Sequence, residues 1–214
     1  DLASLVGAGG QVAAIERSTR FIAHAEAQCR QGGFSQVRFL ERDLMEDGLA
    51  VSEMDAAWCR WVACFVPDPS RLVANIGGAL RSGGKVVFHD YVDYGAWRIA
   101  PDFPLHQEFV QEVIDNWRAS GGEPNIGVIL PSLLQQHGFV IDNLRPITFA
   151  ITPADQLWQW PLTFIESHVP RLVELGRIDH AKGQAILDEF SSATGVPGMF
   201  MITPIVLEIV ATKA

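Results

Sequence analysis

Short apolar runs alternate with amphipathic stretches through most of this sequence. The runs at 11–15, 37–41, 54–62 and 85–89 are bounded by glycine, proline or polar residues, and we predict a strand at each. Because parallel strands need a connection that crosses over the sheet, this rhythm predicts an α/β fold of the Rossmann type. We expect a mainly parallel sheet with helices on both faces.

The stretches between the apolar runs carry signals for helix starts and ends. Ser18 is placed to cap a helix over 19–31, which the pair Gly32-Gly33 ends. Pro69 stands at the start of a second helix, over 70–80. These two helices supply the first two crossover connections.

Beyond Tyr91 the pattern changes to aromatic-rich and mostly helical segments. Further elements are predicted there: helices over 105–119 and 126–137, a strand over 139–143, helices beginning near 155 and 179, and a last strand over 200–212. We interpret residues 1–214 as one domain, in which the C-terminal strand is antiparallel. The insertions at 92–126 and 151–197 are expected to form a helical lid.

Composition and charge exclude several classes of function. The chain has 214 residues, 48% of them hydrophobic, which is enough for one buried core. No apolar run reaches the roughly 20 residues that cross a bilayer, and no signal peptide is visible, so we expect no membrane partner and a cytoplasmic location. The formal net charge of −9 makes nucleic acid an unfavourable partner.

The three cysteines are Cys29, Cys59 and Cys64, and they show no spacing typical of a metal site. We therefore expect no metal and interpret the thiols as buried and inert. The oligomeric state stays open, with a homodimer as one option.

Two acidic residues, Glu16 and Asp43, each follow one of the predicted strands. The carboxyl ends of neighbouring parallel strands meet at one edge of a sheet, and open α/β sheets bind their ligands there. Two carboxylates at that edge are suited to the hydroxyl and amino groups of an adenosine. This pair predicts an enzyme with a nucleoside cofactor.

Five segments of the sequence contain the predicted strands and the turns that lead into or out of them. They are Gly7-Ala-Gly-Gly-Gln-Val-Ala-Ala-Ile-Glu-Arg-Ser18, Phe39-Leu-Glu-Arg-Asp-Leu44, Asp55-Ala-Ala-Trp-Cys-Arg-Trp-Val62, Val66-Pro-Asp-Pro69 and Leu80-Arg-Ser-Gly-Gly-Lys-Val-Val-Phe88. Together they resemble the class I S-adenosylmethionine-dependent methyltransferases, in particular the small-molecule branch. The resemblance covers most of residues 1–143 and returns at the terminal strand.

The resemblance implies S-adenosylmethionine as cofactor and S-adenosylhomocysteine as its product. Glu16 matches the family's acid that holds both ribose hydroxyls, and Asp43 matches the residue that accepts a hydrogen bond from the adenine amino group. Arg17 and Leu44 match positions that contribute backbone and apolar surface beside the purine.

One part of the family pattern is missing from these residues. The family's acidic residue and Gly-x-Gly loop follow the first strand, whereas Gly7-Ala-Gly-Gly10 follows a predicted helix and precedes a strand. We therefore expect an additional strand and the glycine loop upstream of Asp1, so that the domain over 1–214 lacks both.

Two further residues stand near the same edge. Arg60 lies between Trp58 and Trp61, where it meets the cofactor carboxylate or a substrate anion, or else forms a structural salt bridge. His89 is a candidate general base, and a structural histidine is the alternative.

Aromatic residues in the two insertions supply candidate walls for a substrate pocket. We select Tyr91, Trp97, His106 and Trp160 as substrate-binding residues, although aromatic residues at helical spacing are commonly part of a core.

The resulting hypothesis is methyl transfer to an O, N or C nucleophile of a small molecule. One alternative is an NAD(P)-dependent oxidoreductase, because an acid after the second strand also holds an NAD ribose. No Tyr-x-x-x-Lys pair supports that alternative. The other alternative is an inactive family member that acts as a binding module.

Overall fold

The computed structural model describes residues 1–46 and 48–214. Its helices and strands follow one another along the chain: α1 (Leu2–Val6), β1 (Val12–Glu16), α2 (Thr19–Gln31), β2 (Val37–Glu41), β3 (Met54–Arg60), α3 (Pro69–Ala79), β4 (Leu80–Asp93), β5 (Arg98–Ala100), α4 (Pro104–Ala119), α5 (Leu130–Gln136), β6 (Phe139–Ile147), β7 (Ala150–Ile151), α6 (Gln159–Glu174), α7 (His180–Ala193), β8 (Phe200–Ile202) and β9 (Ile205–Lys213). Short 3-10 turns precede α5 and α6.

The first four elements form a β-α-β unit. β1 and β2 pair in parallel, with Glu16 opposite Glu41 in the register. The side chain of Ser18 accepts a hydrogen bond from the backbone of Phe21 and so caps α2, as predicted. Because both strands run the same way, their acidic residues reach the same edge of the pair.

A four-stranded sheet with the order β3-β4-β9-β6 forms the centre of the molecule. β3 and β4 are parallel and are connected by α3, which begins at Pro69 behind the side-chain cap of Asp68. β9 inserts antiparallel between β4 and β6, with Val87 opposite Val210. The predicted α/β fold with helices and an antiparallel C-terminal strand is confirmed.

Two hydrophobic cores hold this arrangement together. The first lies between the central sheet and helices α3 and α5, and includes Leu72, Val86, Phe88, Leu134 and Ile209. The second lies within the segments after β4 and includes Phe109, Ile165, Leu172, Ile186 and Met201. Burying each of these side chains contributes about 1.5–3 kcal/mol to the free energy of folding. Each core therefore stabilises the helices and strands that surround it.

The segments after β4 contain a small sheet that the sequence analysis did not predict. β5, β8 and β7 form a three-stranded antiparallel sheet beside helices α4, α6 and α7. These strands have only two or three residues, which is too short to show an alternating pattern. The helical insertions are therefore accompanied by a short strand, β5, which lies within 92–126.

Two of the three long helices of this layer, α4 and α7, are joined by a capping contact. Glu189 on α7 accepts hydrogen bonds from the backbone N–H groups of Leu105 and His106, at 3.3 and 2.8 Å. An acidic side chain at a helix N-terminus satisfies free donors and complements the helix dipole. The start of α4 is thereby fixed to α7.

Several strand boundaries also differ from the prediction, among them that of β6, which extends to Ile147 rather than ending at 143. β4 runs from Leu80 to Asp93, well beyond the predicted 85–89. The predicted last strand over 200–212 is divided into β8 and β9, because Thr203 and Pro204 leave the strand conformation between them. Proline has no N–H for a ladder hydrogen bond, which explains the break.

Candidate active site

The acidic residues Glu16 and Asp43 lie at one edge of the β1–β2 pair. The backbone N–H of Arg42 donates to the carbonyl of Glu16 at 3.1 Å, so the chain that leaves β2 passes beside the end of β1. The guanidinium of Arg17 reaches to 4.0 Å from the carboxylate of Asp43. The structure thus brings together three of the residues that the sequence selected for cofactor binding.

Each of the two carboxylates is fixed by its own loop. Glu16 Oε1 accepts the backbone N–H of Ser18 at 2.7 Å, and Asp43 Oδ1 accepts that of Met45 at 2.8 Å. Among the residues that the structure describes, none donates a hydrogen bond to Oε2 of Glu16. This oxygen can accept a bond from a hydroxyl donor, which is consistent with the proposed ribose contact.

Asn75 of α3 holds the loop that follows β2, and the sequence analysis did not select it. Its side-chain amide donates to the carbonyls of Leu44 at 2.9 Å and of Glu46 at 2.8 Å. The contact connects residues about thirty positions apart, and a lone asparagine inside a helix gives no signal for it. Asn75 therefore positions the backbone of Leu44.

An aromatic cavity of about 190 Å³ opens where β3 and β4 end. It is lined by Trp61, Phe65, Tyr91, Tyr94, Trp97, Trp117, Trp160, Pro161 and Phe164. Three of the four residues selected from the sequence, Tyr91, Trp97 and Trp160, are in its wall. Ligands of open α/β sheets bind at this edge of the strands, and their pockets are mostly apolar.

His106, the fourth selected residue, does not line this cavity. Its ring is buried behind Trp97, with 4.9 Å between the ring centroids, and it also faces Phe190. Burial lowers the pKa of His106 to about 4. The environment is that of a neutral core residue rather than a ligand contact.

Trp61 stands in the middle of the aromatic wall. Its ring is nearly parallel to those of Tyr91 and Trp160, at centroid distances of 5.8 and 5.6 Å. The backbone of Trp61 has a φ of 53°, in the left-handed region that bulky residues seldom adopt. Its N–H donates to the carbonyl of His89 at 2.9 Å, which holds this conformation.

Arg60 is exposed and stacks on the indoles at either side of it in the sequence. Its guanidinium carbon lies 4.5 Å from the ring centroid of Trp61 and 5.5 Å from that of Trp58. Within residues 1–46 and 48–214, no carboxylate oxygen lies within 4.0 Å of its nitrogens. The structural salt bridge, one of the roles left open for Arg60, is therefore absent from the described part of the chain.

Both ring nitrogens of His89 are engaged within the protein. Trp58 donates its indole N–H to Nδ1 at 3.0 Å, and Nε2 lies 2.9 Å from Oε2 of Glu208. Glu208 in turn accepts two hydrogen bonds from Arg145, at 2.8 and 3.0 Å. Of the two roles considered for His89, this geometry favours the structural one.

Asp90 is a fully buried carboxylate outside the cavity wall. Its Oδ1 accepts the backbone N–H of Cys64 at 3.4 Å, while Oδ2 has no partner among the described residues. Burial raises the pKa of Asp90 to about 6. The thiol of Cys64 is buried as well, and this burial together with the charge of Asp90 raises its pKa far above the ordinary range. An inert thiol is consistent with that shift.

An acidic edge and an aromatic cavity at the ends of parallel strands are typical of ligand sites in Rossmann-like α/β folds. Residues 2–88 match the model of a family described as a methyltransferase domain. No curated protein matches the chain.

Solved structures share the fold at low sequence identity. A protein of Bacillus halodurans C-125 assigned as a methyltransferase is 13% identical, with a TM-score of 0.60, and the match covers 95% of this chain and 83% of that one. The 4+2 cyclase SpnF is 19% identical, with a TM-score of 0.59 and coverages of 99% and 69%. Phosphoethanolamine N-methyltransferase 2 of Haemonchus contortus, in complex with phosphomonomethylethanolamine and S-adenosylhomocysteine, is 16% identical, with a TM-score of 0.52 and coverages of 96% and 44%.

The family match and the shared fold confirm the resemblance to the class I S-adenosylmethionine-dependent methyltransferases. The match of residues 2–88 to a methyltransferase-domain model supports an enzyme that uses S-adenosylmethionine. Among the described residues, no helix has the length and apolar character needed to span a bilayer.

Proposed function

We propose that this protein methylates an O, N or C nucleophile of a small aromatic molecule that binds in the aromatic cavity. The observation that carries the proposal is that the cavity opens where the parallel strands β3 and β4 end, just as Glu16 and Asp43 lie where the parallel strands β1 and β2 end. When bound, S-adenosylmethionine supplies a methyl group on an activated sulfonium.

The acidic edge has groups that fit the nucleoside part of the cofactor. Glu16 offers a carboxylate oxygen to the ribose hydroxyls, and Asp43 offers one to the adenine amino group. Leu44 contributes backbone and apolar surface, and Asn75 holds that backbone. Arg17 lies at the same edge, with its guanidinium 4.0 Å from the carboxylate of Asp43.

The aromatic cavity limits the size of the acceptor. An apolar cavity of about 150 Å³ holds one benzene molecule, so about 190 Å³ suits a single ring with a small substituent. Flat rings also pack favourably against aromatic side chains such as those of this wall. An apolar wall keeps water away from the nucleophile, which then reacts by positioning and desolvation.

No general base is assigned to this site. His89, the candidate selected from the sequence, uses both ring nitrogens in hydrogen bonds to Trp58 and Glu208. Transfer from a sulfonium donor does not require a dedicated base when the nucleophile is well oriented.

Calorimetric titration of S-adenosylmethionine tests the cofactor site. We expect Glu16→Ala and Asp43→Ala each to weaken binding at least tenfold, since each removes a charge-assisted hydrogen bond. Glu41→Ala is the matched control, because Glu41 is an exposed acid in register with Glu16 and has no assigned role. Unchanged affinity in both test variants would overturn the site.

The same titration separates the alternatives. Binding of NADH or NADPH in place of S-adenosylmethionine would favour an oxidoreductase, and binding of neither would favour a module without this chemistry. The fold alone does not decide among them, since the cyclase SpnF shares it.

The remaining expectations belong to the same proposal. They are a lid formed by 92–126 and 151–197 over one domain, a cytoplasmic location, and a small molecule rather than nucleic acid or membrane as partner. A homodimer remains open.

A further inference from the structure

We propose that the molecule bound in the aromatic cavity is an aromatic carboxylic acid, whose carboxylate pairs with Arg60. This inference rests on the proposed function, because it names the chemical class of the acceptor for the same site. The methyl group would then be transferred to an atom of the acceptor other than its carboxylate oxygens, in another substituent on the same ring.

Among the residues that the structure describes, none accepts a hydrogen bond from the guanidinium of Arg60, which lies over two indole rings. A guanidinium is planar, and it contacts aromatic rings with its face while its N–H groups point outward from its edges. The two indoles of Trp58 and Trp61 therefore hold the cation without using any of its five donors. A carboxylate matches two parallel donors of such an edge.

The position of Arg60 connects it to the cavity. It is the last residue of β3, and the ring on which it stacks more closely, that of Trp61, is part of the cavity wall. Burial raises the pKa of Tyr91, another residue of the wall, and the positive charge of Arg60 opposes that rise. The cation thus acts electrostatically on the inside of the cavity.

The carboxylate of the cofactor is the competing ligand for Arg60. Glu16 and Asp43 lie at the ends of β1 and β2, which form a separate sheet from the one that contains β3. Arg60 instead packs on Trp61, which is part of the cavity wall, and the cavity has room for a single aromatic ring. We therefore assign its donors to the acceptor, and separate titrations of the two ligands distinguish these assignments.

Benzoate and benzamide are a matched pair of probes, since they have the same ring and nearly the same shape but differ in charge. Both are titrated into the full chain at low salt, with the tryptophan fluorescence and the heat of binding as readouts. We expect benzoate to bind at least tenfold more tightly than benzamide to the unmodified protein. In Arg60→Gln we expect this ratio to fall below about twofold, with little change for benzamide, because only the charged contact is lost.

Two further variants complete the design. Arg60→Lys keeps the charge but not the planar guanidinium. Its preference for benzoate over benzamide is therefore expected to lie between that of the unmodified protein and that of Arg60→Gln. Arg20→Gln is the control, because Arg20 is also exposed and stacks on an aromatic ring, that of Phe21 at 5.1 Å, outside the cavity. It should keep the full preference for benzoate.

The outcomes that overturn the inference are distinct from those that overturn the proposed function. Equal binding of the two probes, binding of neither, or a preference that survives in Arg60→Gln each contradicts the inference. So does a loss of S-adenosylmethionine binding in Arg60→Gln without a change in benzoate binding, which would assign Arg60 to the cofactor. A benzoate preference that depends on Arg60 in a protein that binds no S-adenosylmethionine would support the inference and contradict the proposed function.

Discussion

Trp58 donates its indole N–H to Nδ1 of His89 across the parallel pair β3–β4, at 3.0 Å. Since Nδ1 accepts this bond, the proton of a neutral imidazole is on Nε2, which faces Glu208 at 2.9 Å. The ring therefore has no free lone pair for proton abstraction. The partner of each nitrogen explains why this histidine of a central strand favours a structural role over that of a base.

The first prediction concerns this tautomer. At pH 8, where an ordinary imidazole is neutral, we expect nitrogen NMR of His89 to show a protonated Nε2 and an unprotonated Nδ1. In Trp58→Phe the bond to Nδ1 is lost, and the signal of that nitrogen should shift while His24, which is distant in sequence, stays unchanged. A proton on Nδ1 in the unmodified protein would contradict the assignment.

The second prediction concerns Glu208. Hydrogen bonds from Arg145 and His89 lower the pKa of Glu208 to about 2, from an ordinary value of 4.5. A pKa that is lower in the folded state contributes stability above the unfolded value, and the contribution is lost as the pH falls through the folded one. Because Arg145 is mostly exposed and screened, we expect Glu208→Gln to lower the free energy of unfolding by about 1–2 kcal/mol at pH 7.

Urea unfolding at several pH values checks this expectation. The difference between the unmodified protein and Glu208→Gln should shrink as the pH falls below 4.5. Glu174→Gln removes an exposed ion pair with Arg171 and should change stability by less than about 0.5 kcal/mol. Equal effects of the two substitutions would contradict the role of Glu208.

The third prediction concerns the buried carboxylate of Asp90. Its pKa is about 6 in the folded protein against an ordinary 3.8, because burial disfavours the charged form. For a raised pKa the contribution to stability is complete below the unfolded value and is lost as the pH rises through the folded one. We therefore expect Asp90→Asn to gain about 1–3 kcal/mol relative to the unmodified protein between pH 4 and pH 7.

Unfolding free energies of both proteins over this pH range are the measurement. Asp188→Asn serves as the control, since Asp188 is exposed and should leave the difference independent of pH. Parallel curves for Asp90→Asn and the unmodified protein would show that Asp90 is not the titrating group.

The elements with local signals were predictable from the sequence. An apolar run followed directly by an acid located β1 and β2 and the edge where they end, because the residues of a strand and its exit are adjacent in the chain. Ser18 and Pro69 likewise marked their helices by chemistry within one turn. The three-stranded sheet lacked such a signal, since its strands are too short for alternation.

The cavity wall was predicted only in part, since the same residue type serves both a core and a pocket. Trp158 and Trp160 are two positions apart, yet Trp158 is buried against Phe190 in the core and Trp160 lines the cavity beside Trp61. Only the tertiary contact of Trp160 with Trp61, the residue after β3, decides between these places. Tyr94, which the sequence analysis did not select, also lines the cavity.

The last prediction concerns Asn75, which acts on the proposed cofactor site through the loop after β2. Asn75→Ala removes both hydrogen bonds to the carbonyls of Leu44 and Glu46. We expect about 1–2 kcal/mol less unfolding free energy, and S-adenosylmethionine binding weakened about tenfold because the loop is no longer fixed. Ser70→Ala is a matched control, since it removes a side-chain hydrogen bond of α3 to His137 that does not reach this loop. A loss of stability without a loss of cofactor affinity in Asn75→Ala would show that the loop is not part of the site, because a purely structural role predicts the same cofactor affinity in both variants.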